Sequence, residues 1–258
     1  MVDINDPEAE RARSATAADL DAALAAITSR RMLDVATGGG RMVRFLIDRL
    51  GGHGEVLAID RDDTVAADFR AGFPDEPRIR FETIDALAMP FAAGAFDLVS
   101  MSHALCEFDD RERTDLLRQM GRLIEPDGAL VVSETFRDQA TEPEMTHVRL
   151  HDWWGDVDAH DGIVHRPFQT RAELEVQFQA LGFHRLRLFD VPDTPGDPHD
   201  PAVLDWIDGV IDGSMSRVSG ERALESRGVE LRKRMHRVGF RIATALVFLG
   251  DVSRRHRP

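Results

Sequence analysis

The chain has 258 residues, and its 46 acidic against 32 basic side chains give a formal net charge of −14. This charge argues against a nucleic-acid partner, because binding to a polyanion needs basic side chains. A single cysteine excludes an internal disulfide, and the lack of an apolar leader or of a long apolar run predicts a cytoplasmic protein without a membrane partner.

The N-terminal part of the sequence predicts a helix, a strand and a second helix. Leu20 and Leu24 recur at helical spacing within residues 11–29. The stretch 31–40, Arg-Met-Leu-Asp-Val-Ala-Thr-Gly-Gly-Gly, is typical of a buried strand that ends in a glycine turn, and a helix is predicted over residues 41–50. Glycines let the backbone come close to a ligand, and the following helix offers unpaired N–H groups to an anionic or carboxylate-bearing ligand.

The next predicted strand, residues 55–60, reads Glu-Val-Leu-Ala-Ile-Asp and ends in a carboxylate. In sheets of this kind, an acid at the end of the second strand typically accepts hydrogen bonds from the ribose hydroxyls of a nucleoside cofactor. The first sixty residues therefore predict a nucleoside-type cofactor that binds at the carboxyl edge of a parallel sheet.

The glycine spacing narrows the choice of cofactor. A dinucleotide fingerprint has the form G-x-G-x-x-G; Gly38 and Gly40 fit its first two glycines, but the third position is Val43. A phosphate-binding P-loop needs Gly-Lys-Ser/Thr, whereas this sequence continues Gly40-Arg-Met. The remaining pattern, an acid followed by small or apolar residues and Gly-x-Gly over residues 34–40, resembles the first motif of class I S-adenosylmethionine-dependent methyltransferases.

Later segments strengthen this resemblance. Residues 78–91 resemble the family's third strand and the acid that follows it. Residues 95–103 resemble the fourth strand, and residues 122–134 resemble the fifth strand with its preceding turn, where Pro126-Asp-Gly stands in place of the usual Pro-Gly-Gly. The resemblance covers residues 31–134 in the family's order.

The resemblance implies an α/β, Rossmann-like, doubly wound fold with a mostly parallel seven-stranded sheet in the order 3-2-1-4-5-7-6. Strands six and seven are predicted over residues 183–191 and 243–249, which leaves a helical insertion near the C-terminus. The expected organisation is an N-terminal helical lid (1–30), a cofactor-binding core (31–191) that contains a substrate loop (136–168), a helical insertion or cap (192–241), and a final strand and tail (242–258).

Carried over position by position, the resemblance also implies a set of cofactor contacts. The first motif would shape the methionine side of the site, the end of the second strand would hold the ribose, and the residues after the third strand would lie by the adenine. The expected cofactor-binding residues are Asp34, Ala36, Gly38, Gly40, Asp60, Arg61, Asp85, Ala86, Ser102 and His103.

Methyl transfer needs a base only if the acceptor loses a proton, since the cofactor itself supplies the reactive group. We predict His103, Glu134 and His151 as catalytic candidates, because all three map to the carboxyl edge of the sheet, where ligands bind in open α/β folds. Residues 147–165 contain four histidines, four acids and two tryptophans. We favour a substrate loop there, ahead of a solvated acidic loop and of a metal site, and assign no metal because the spacing matches no standard zinc pattern.

The sequence therefore predicts an S-adenosylmethionine-dependent methyltransferase that acts on a small-molecule acceptor. Nucleic-acid amino-methylation is disfavoured, because the end of the fourth strand, Ser100-Met-Ser-His, lacks the Asn/Asp-Pro-Pro-aromatic motif of enzymes that hold an exocyclic amine. The alternatives are an oxidoreductase that uses a nicotinamide cofactor, and a non-catalytic relative that binds the cofactor as a sensor or partner subunit. A homodimer through the C-terminal helical insertion is a further expectation.

Overall fold

The computed structural model describes residues 17–183, 185–192 and 196–251, which form one seven-stranded sheet in the order β3-β2-β1-β4-β5-β7-β6. Strands β1 to β5 are parallel, and β7 runs antiparallel to both β5 and β6. The predicted sheet order is confirmed. The strands are β1 (Thr28–Val35), β2 (Gly52–Asp60), β3 (Ile79–Thr83), β4 (Phe96–Ser102), β5 (Ile124–Thr135), β6 (Arg185–Val191) and β7 (Ala245–Asp251).

Helices cover both faces of this sheet. Side chains alternate along a strand, so Met32 of β1 packs with α1, α2 and α3, whereas Leu33 faces α4 and α6 on the opposite side. The predicted doubly wound arrangement is thereby confirmed. The helices are α1 (Ala17–Ala25), α2 (Arg41–Ile47), α3 (Ala66–Gly72), α4 (Asp110–Leu123), α5 (Glu142–His160), α6 (Arg171–Gln179), α7 (Pro201–Arg217) and α8 (Arg222–Val238).

The start of β1 differs from the sequence prediction. The predicted leading helix ran to residue 29, but the strand already begins at Thr28, because Ser29 and the backbone N–H groups of Arg30 and Arg31 donate hydrogen bonds to Asp97 of β4. Most of the expected N-terminal lid, residues 1–16, lies outside the described residues.

The segment predicted as a substrate loop, 136–168, is largely a helix. Helix α5 begins beside Thr141, whose backbone N–H donates to Glu144 at 2.8 Å, and Pro143 occupies its first turn. Its apolar face, which includes Trp153 with no exposed surface, packs against α7 and α8. Because acids and histidines interrupt its apolar pattern, the sequence did not predict this face.

The predicted helical insertion consists of α7 and α8, which together with α5 enclose a separate apolar cluster beside the sheet. Strand β7 starts at Ala245, two residues later than predicted, because the Ala243 N–H and the Thr244 hydroxyl donate to side chains of α5 instead. The homodimer through this insertion stays a prediction. Among the described residues, no helix has the length and hydropathy needed to cross a bilayer.

Candidate cofactor and acceptor site

The glycine turn after β1 leaves open space on one side. Ala36, Gly38 and Gly40 all have positive φ angles, which bend the chain sharply before α2. A methyl group built on Gly38 or Gly39 would meet no atom within 4 Å, so a ligand can approach the backbone there. The expected cofactor needs open space beside the backbone, and the glycine turn provides it.

Gly40 also has a role in packing. A methyl group on Gly40 would lie 2.7 Å from the ring of Phe73 and 2.8 Å from that of Phe69. Gly40 therefore lets α2 pack against the aromatic side chains of α3 and its C-terminal end, and its contact with the methionine side of the cofactor stays a prediction.

Asp60 links the ends of β1 and β2. Its Oδ2 accepts the Gly38 N–H at 2.9 Å, and its Oδ1 accepts the Asp62 N–H at 3.0 Å. Each carboxylate oxygen has further acceptor capacity, so ribose hydroxyls could still bind there. The side chain of Arg61 donates to Glu107 at 3.4 Å and lines a neighbouring cavity, and its predicted contact with the cofactor stays a prediction.

Asp34 is fully buried beneath the glycine turn. Its carboxylate accepts hydrogen bonds from the hydroxyls of Thr37 at 2.6 Å and Ser100 at 2.5 Å. Burial raises the pKa of Asp34 to about 6, although these two hydrogen bonds oppose the shift. Asp34 thus connects the glycine turn, through Thr37, to β4, through Ser100.

Asp85 and Ala86 follow β3 and begin a short 3₁₀ turn. The Asp85 side chain accepts the Leu87 N–H at 2.9 Å, and Ala86 is buried. The Ile84 N–H donates to the carbonyl of Asp60 at 2.9 Å, which places this turn beside the end of β2. The predicted ribose and adenine positions are therefore neighbours at one edge of the sheet.

An open cavity of about 540 Å³ adjoins this edge. Residues from the start of α2, from the ends of β2, β4 and β5, and from α5 and α7 form its wall, so it lies between the sheet and the helical insertion. Its lining residues are Arg41, Arg61, His103, Cys106, Glu107, Thr135, His147, His151, Trp154, Asp158, Ile163, Val164, His165, Phe168, Trp206 and Ile242.

His103 follows β4 with a φ of 52° and faces the cavity. Its Nδ1 lies 3.1 Å from the hydroxyl of Thr135, which orients the ring. Burial by the surrounding protein, with a smaller contribution from the positive charge of Arg41, lowers the pKa of His103 to about 4. The imidazole is therefore neutral at neutral pH and is a weaker base than a free imidazole. Ser102, the preceding residue, ends β4 without lining the cavity.

His147 and His151 are both on α5. His147 Nδ1 accepts the Ala243 N–H at 3.0 Å, and burial lowers its pKa to about 4. His151 was predicted as a base on a loop, but its Nε2 faces His165 at 2.8 Å and its buried Nδ1 has no partner among the described residues. Burial lowers the pKa of His151 to about 2, so its ring is neutral.

Glu134, the third catalytic candidate, does not line the cavity. It is buried, and its Oε1 accepts the N–H groups of Ala104 and Leu105, both at 3.0 Å. Burial raises the pKa of Glu134 to about 7, against the effect of these hydrogen bonds. Glu134 positions the backbone after His103, and the alternation along β5 turns its neighbour Thr135 toward the cavity instead.

The protein should lose stability as rising pH ionises the buried Glu134. We expect the substitution Glu134→Gln to remove most of this loss. The native carboxyl holds its proton up to about pH 7, whereas the unfolded chain releases it near 4.5. The native state thus binds more protons between these values, and the free energy of unfolding falls with rising pH by about 3 kcal/mol for this group. The oxygen of the substituted amide would still accept both N–H groups, but the amide would not ionise. Urea denaturation at pH 5 and pH 8 measures the difference.

The exposed Glu82 on β3 provides the control, because Glu82→Gln should leave the pH dependence as in the parent chain. Asp34, whose pKa is also raised, leaves a residual slope below about pH 6 in both variants. A Glu134→Gln protein with an unchanged pH dependence would contradict the assignment.

Cys106 lies in a 3₁₀ turn, Leu105–Glu107, at the edge of the same cavity. Burial, reinforced by the nearby carboxylates of Glu134 and Glu107, raises the pKa of its thiol above the usual range. The free thiol is therefore not a nucleophile.

Several cavity residues were not predicted individually from the sequence. Asp158 and His165 belong to the histidine-rich cluster, which the sequence does flag. Trp206 comes from the helical insertion and Arg41 from the start of α2, and only the fold brings them to the cavity. Thr135 could have been found by strand alternation next to Glu134.

Comparisons with known proteins agree with this arrangement. Residues 32–128 match the family model described as "Methyltransferase domain". A demethylmenaquinone methyltransferase of Thermus thermophilus is 36% identical over 105 residues, or 41% of this chain and 47% of that protein. A 2-phytyl-1,4-naphtoquinone methyltransferase of Thermosynechococcus vestitus is 27% identical over 165 residues, or 60% of this chain and 72% of that protein. The first of these matches thus spans about half of the relative's length.

The crystal structure of a proposed methyltransferase of Bacillus halodurans C-125 has the same fold, with a TM-score of 0.59 and 14% identity, and the match covers 92% of this chain and 98% of the other. The strand order, the glycine turn with its flanking acids and the matched family model lead to one assignment. Through residues 32–128 and the order of its strands, the chain is similar to class I S-adenosylmethionine-dependent methyltransferases.

Proposed function

We propose that this protein transfers a methyl group from S-adenosylmethionine to a flat, hydroxylated small molecule. One observation carries the proposal: Arg41 and Arg61, which directly follow the glycine turn and Asp60, line a cavity of about 540 Å³. A cofactor held at the turn would therefore have its acceptor beside it.

The chain's own residues account for cofactor binding in this proposal. The Asp60 carboxylate would accept the ribose hydroxyls, the turn at Asp85 and Ala86 would border the adenine, and the Gly38 backbone would lie along the methionine part. When bound, S-adenosylmethionine supplies an electrophilic methyl group on a sulfonium. The protein has to orient the two reactants and exclude water.

The lining of the cavity favours a flat acceptor. Trp154, Phe168 and Trp206 offer aromatic surface, and Ile163, Val164 and Ile242 add apolar contacts. Small-molecule sites of this size typically combine apolar surface with polar groups that orient the ligand. The two relatives described above are named for naphthoquinone-type compounds, which are flat rings that carry hydroxyl groups in their reduced form. We therefore propose a reduced quinone or a similar phenolic ring as the acceptor.

His103 is the base in this proposal. Its neutral ring faces the cavity and is oriented by Thr135, so it can take the proton that the acceptor loses as the new bond to the methyl carbon forms. The proton then passes to solvent through the open cavity. Glu134 acts through the backbone that carries His103 and is a positioning residue.

Isothermal titration calorimetry with four ligands tests the cofactor. We expect S-adenosylmethionine and S-adenosylhomocysteine to bind with micromolar dissociation constants, about −8 kcal/mol, and NADH and NADPH not to bind. Binding of a nicotinamide cofactor alone would favour the oxidoreductase alternative and overturn the proposal.

Transfer of a ¹³C-labelled methyl group to reduced 1,4-naphthoquinones, followed by mass spectrometry, tests the acceptor class. Aliphatic alcohols and amines of similar size serve as the comparison. Tight S-adenosylmethionine binding without transfer to any of these compounds would instead favour a cofactor-binding protein with no catalytic role.

A further inference from the structure

Three atoms of the kind that bind metal ions lie together in the wall of the cavity. Cys106, His151 and His165 each offer one such atom, and these atoms are all within 4.8 Å of one another. They come from three separate parts of the chain: the turn after β4, helix α5 and the segment that follows α5. The sequence spacing did not predict this group, because only the fold brings Cys106 to the two histidines.

His165 is oriented as a metal-binding histidine usually is. Its Nδ1 lies 2.6 Å from Asp158 Oδ2, and its Nε2 is directed at His151 Nε2, 2.8 Å away. A carboxylate on the far nitrogen fixes the tautomer and increases the basicity of the nitrogen that binds the metal. Arg217 donates to the other oxygen of Asp158 at 2.7 Å, which holds the carboxylate in place.

His151 is held by packing. The ring of Phe168 stacks on it with 3.5 Å between ring centroids, and its Nδ1 is buried without a partner among the described residues. If Asp158 keeps the proton of His165 on Nδ1, the lone pair of His165 Nε2 points at His151 Nε2. Either a proton on His151 or a cation shared by both rings then satisfies this pair.

We propose that Cys106, His151 and His165 bind a divalent metal ion of the zinc type, with Asp158 as the hydrogen-bond partner of His165. One thiolate and two imidazoles suit zinc better than magnesium or calcium, which prefer oxygen ligands. Two nitrogens on a tetrahedral zinc stand about 3.3 Å apart. The two rings therefore have to separate by about 0.5 Å on binding. Coordination replaces the proton of the Cys106 thiol.

Three protein ligands leave one coordination position, as in catalytic zinc sites. All three ligands line the cavity, so this position would take an oxygen of the acceptor. A hydroxyl bound there becomes more acidic, and the proton it loses passes to His103 or to solvent. This role rests on the proposed methyl transfer, whereas the binding of the metal does not.

Metal content and cobalt spectroscopy on the full chain without an affinity tag test the site. We expect one equivalent of zinc per chain after growth in zinc-supplemented medium, measured by mass spectrometry. Replacement by Co²⁺ should give a thiolate-to-cobalt charge-transfer band. Because Cys106 is the only cysteine in the chain, that band can come from no other residue.

Two ligand variants and two comparison variants complete the experiment. Cys106→Ala should abolish the band, and His165→Ala should lower the zinc affinity at least a hundredfold; circular dichroism checks that each variant folds. Asp158→Asn should weaken zinc binding 10- to 100-fold, the usual effect of removing such a partner. His160→Ala, an exposed histidine at the end of the same helix, should leave the zinc content unchanged.

A parent protein with neither bound zinc nor a cobalt band would overturn the proposal, as would a folded Cys106→Ala protein with full affinity for both ions. Calorimetry of the chelator-treated protein with S-adenosylmethionine separates this result from failure of the proposed function. Normal cofactor binding without any metal site would reject the zinc site alone, and a metal site without cofactor binding would reject methyl transfer alone.

Discussion

Replacing Asp60 with alanine is expected to weaken the binding of S-adenosylmethionine by about 10²- to 10⁴-fold. Two ribose hydroxyls would donate to this carboxylate, and a hydrogen bond to a charged group contributes about 1.5–3 kcal/mol, so the expected loss is about 3–6 kcal/mol. The substitution also removes the acceptor of the Gly38 N–H, which helps to hold the glycine turn. Calorimetric titration of both proteins measures the change.

The chain offers a graded series for this experiment. Asp60→Asn keeps one oxygen for hydrogen bonding and should lose less affinity than the alanine variant. The nearby Asp63→Ala removes an exposed acid of the same region and should bind the cofactor as the parent does. Equal affinity of the parent and Asp60→Ala would show that the end of β2 does not hold the ribose.

The sheet was predictable because its information is local. Each central strand is a short apolar run that ends in a glycine, an acid or a polar residue, and alternation with amphipathic helices is typical of a parallel sheet. Helix α4 shows this most clearly, since Leu116, Leu117, Met120 and Leu123 form one buried face. The family resemblance then supplied the strand order, which local patterns do not determine.

The errors arose where distant contacts decide the structure. Helix α5 carries many charges, and its apolar side becomes evident only when α7 and α8 cover it. Glu134 lies at the correct edge of the sheet, but the turn at Ala104 and Leu105 uses its carboxylate, and no spacing rule indicates this. In the same way, only the fold brings Cys106 to His151 and His165.

Alanine substitutions at neighbouring glycines of the turn are expected to have different effects: Gly40→Ala should lower the stability, and Gly39→Ala should weaken ligand binding. A methyl group on Gly40 would strike Phe69 and Phe73 and would occupy a residue whose φ is 81°. Overpacking costs about 1–3 kcal/mol, and the left-handed conformation costs alanine a further 1–2 kcal/mol or so. We therefore expect Gly40→Ala to lower the free energy of unfolding by about 2–5 kcal/mol, as measured by urea denaturation.

Gly39→Ala provides the matched variant, because Gly39 is next to Gly40 in the turn but has open space around it. Its φ is not positive, and a methyl group there meets no protein atom within 4 Å. Gly39→Ala should therefore change the stability by less than about 1 kcal/mol. If the open space belongs to the cofactor, the same methyl group should weaken S-adenosylmethionine binding about 10- to 100-fold through overpacking. If Gly39→Ala bound S-adenosylmethionine with parental affinity, the cofactor would lie elsewhere. The stability of Gly40→Ala would not change this conclusion, because Gly40 reports on the packing of α2 and Gly39 on the open space beside the turn.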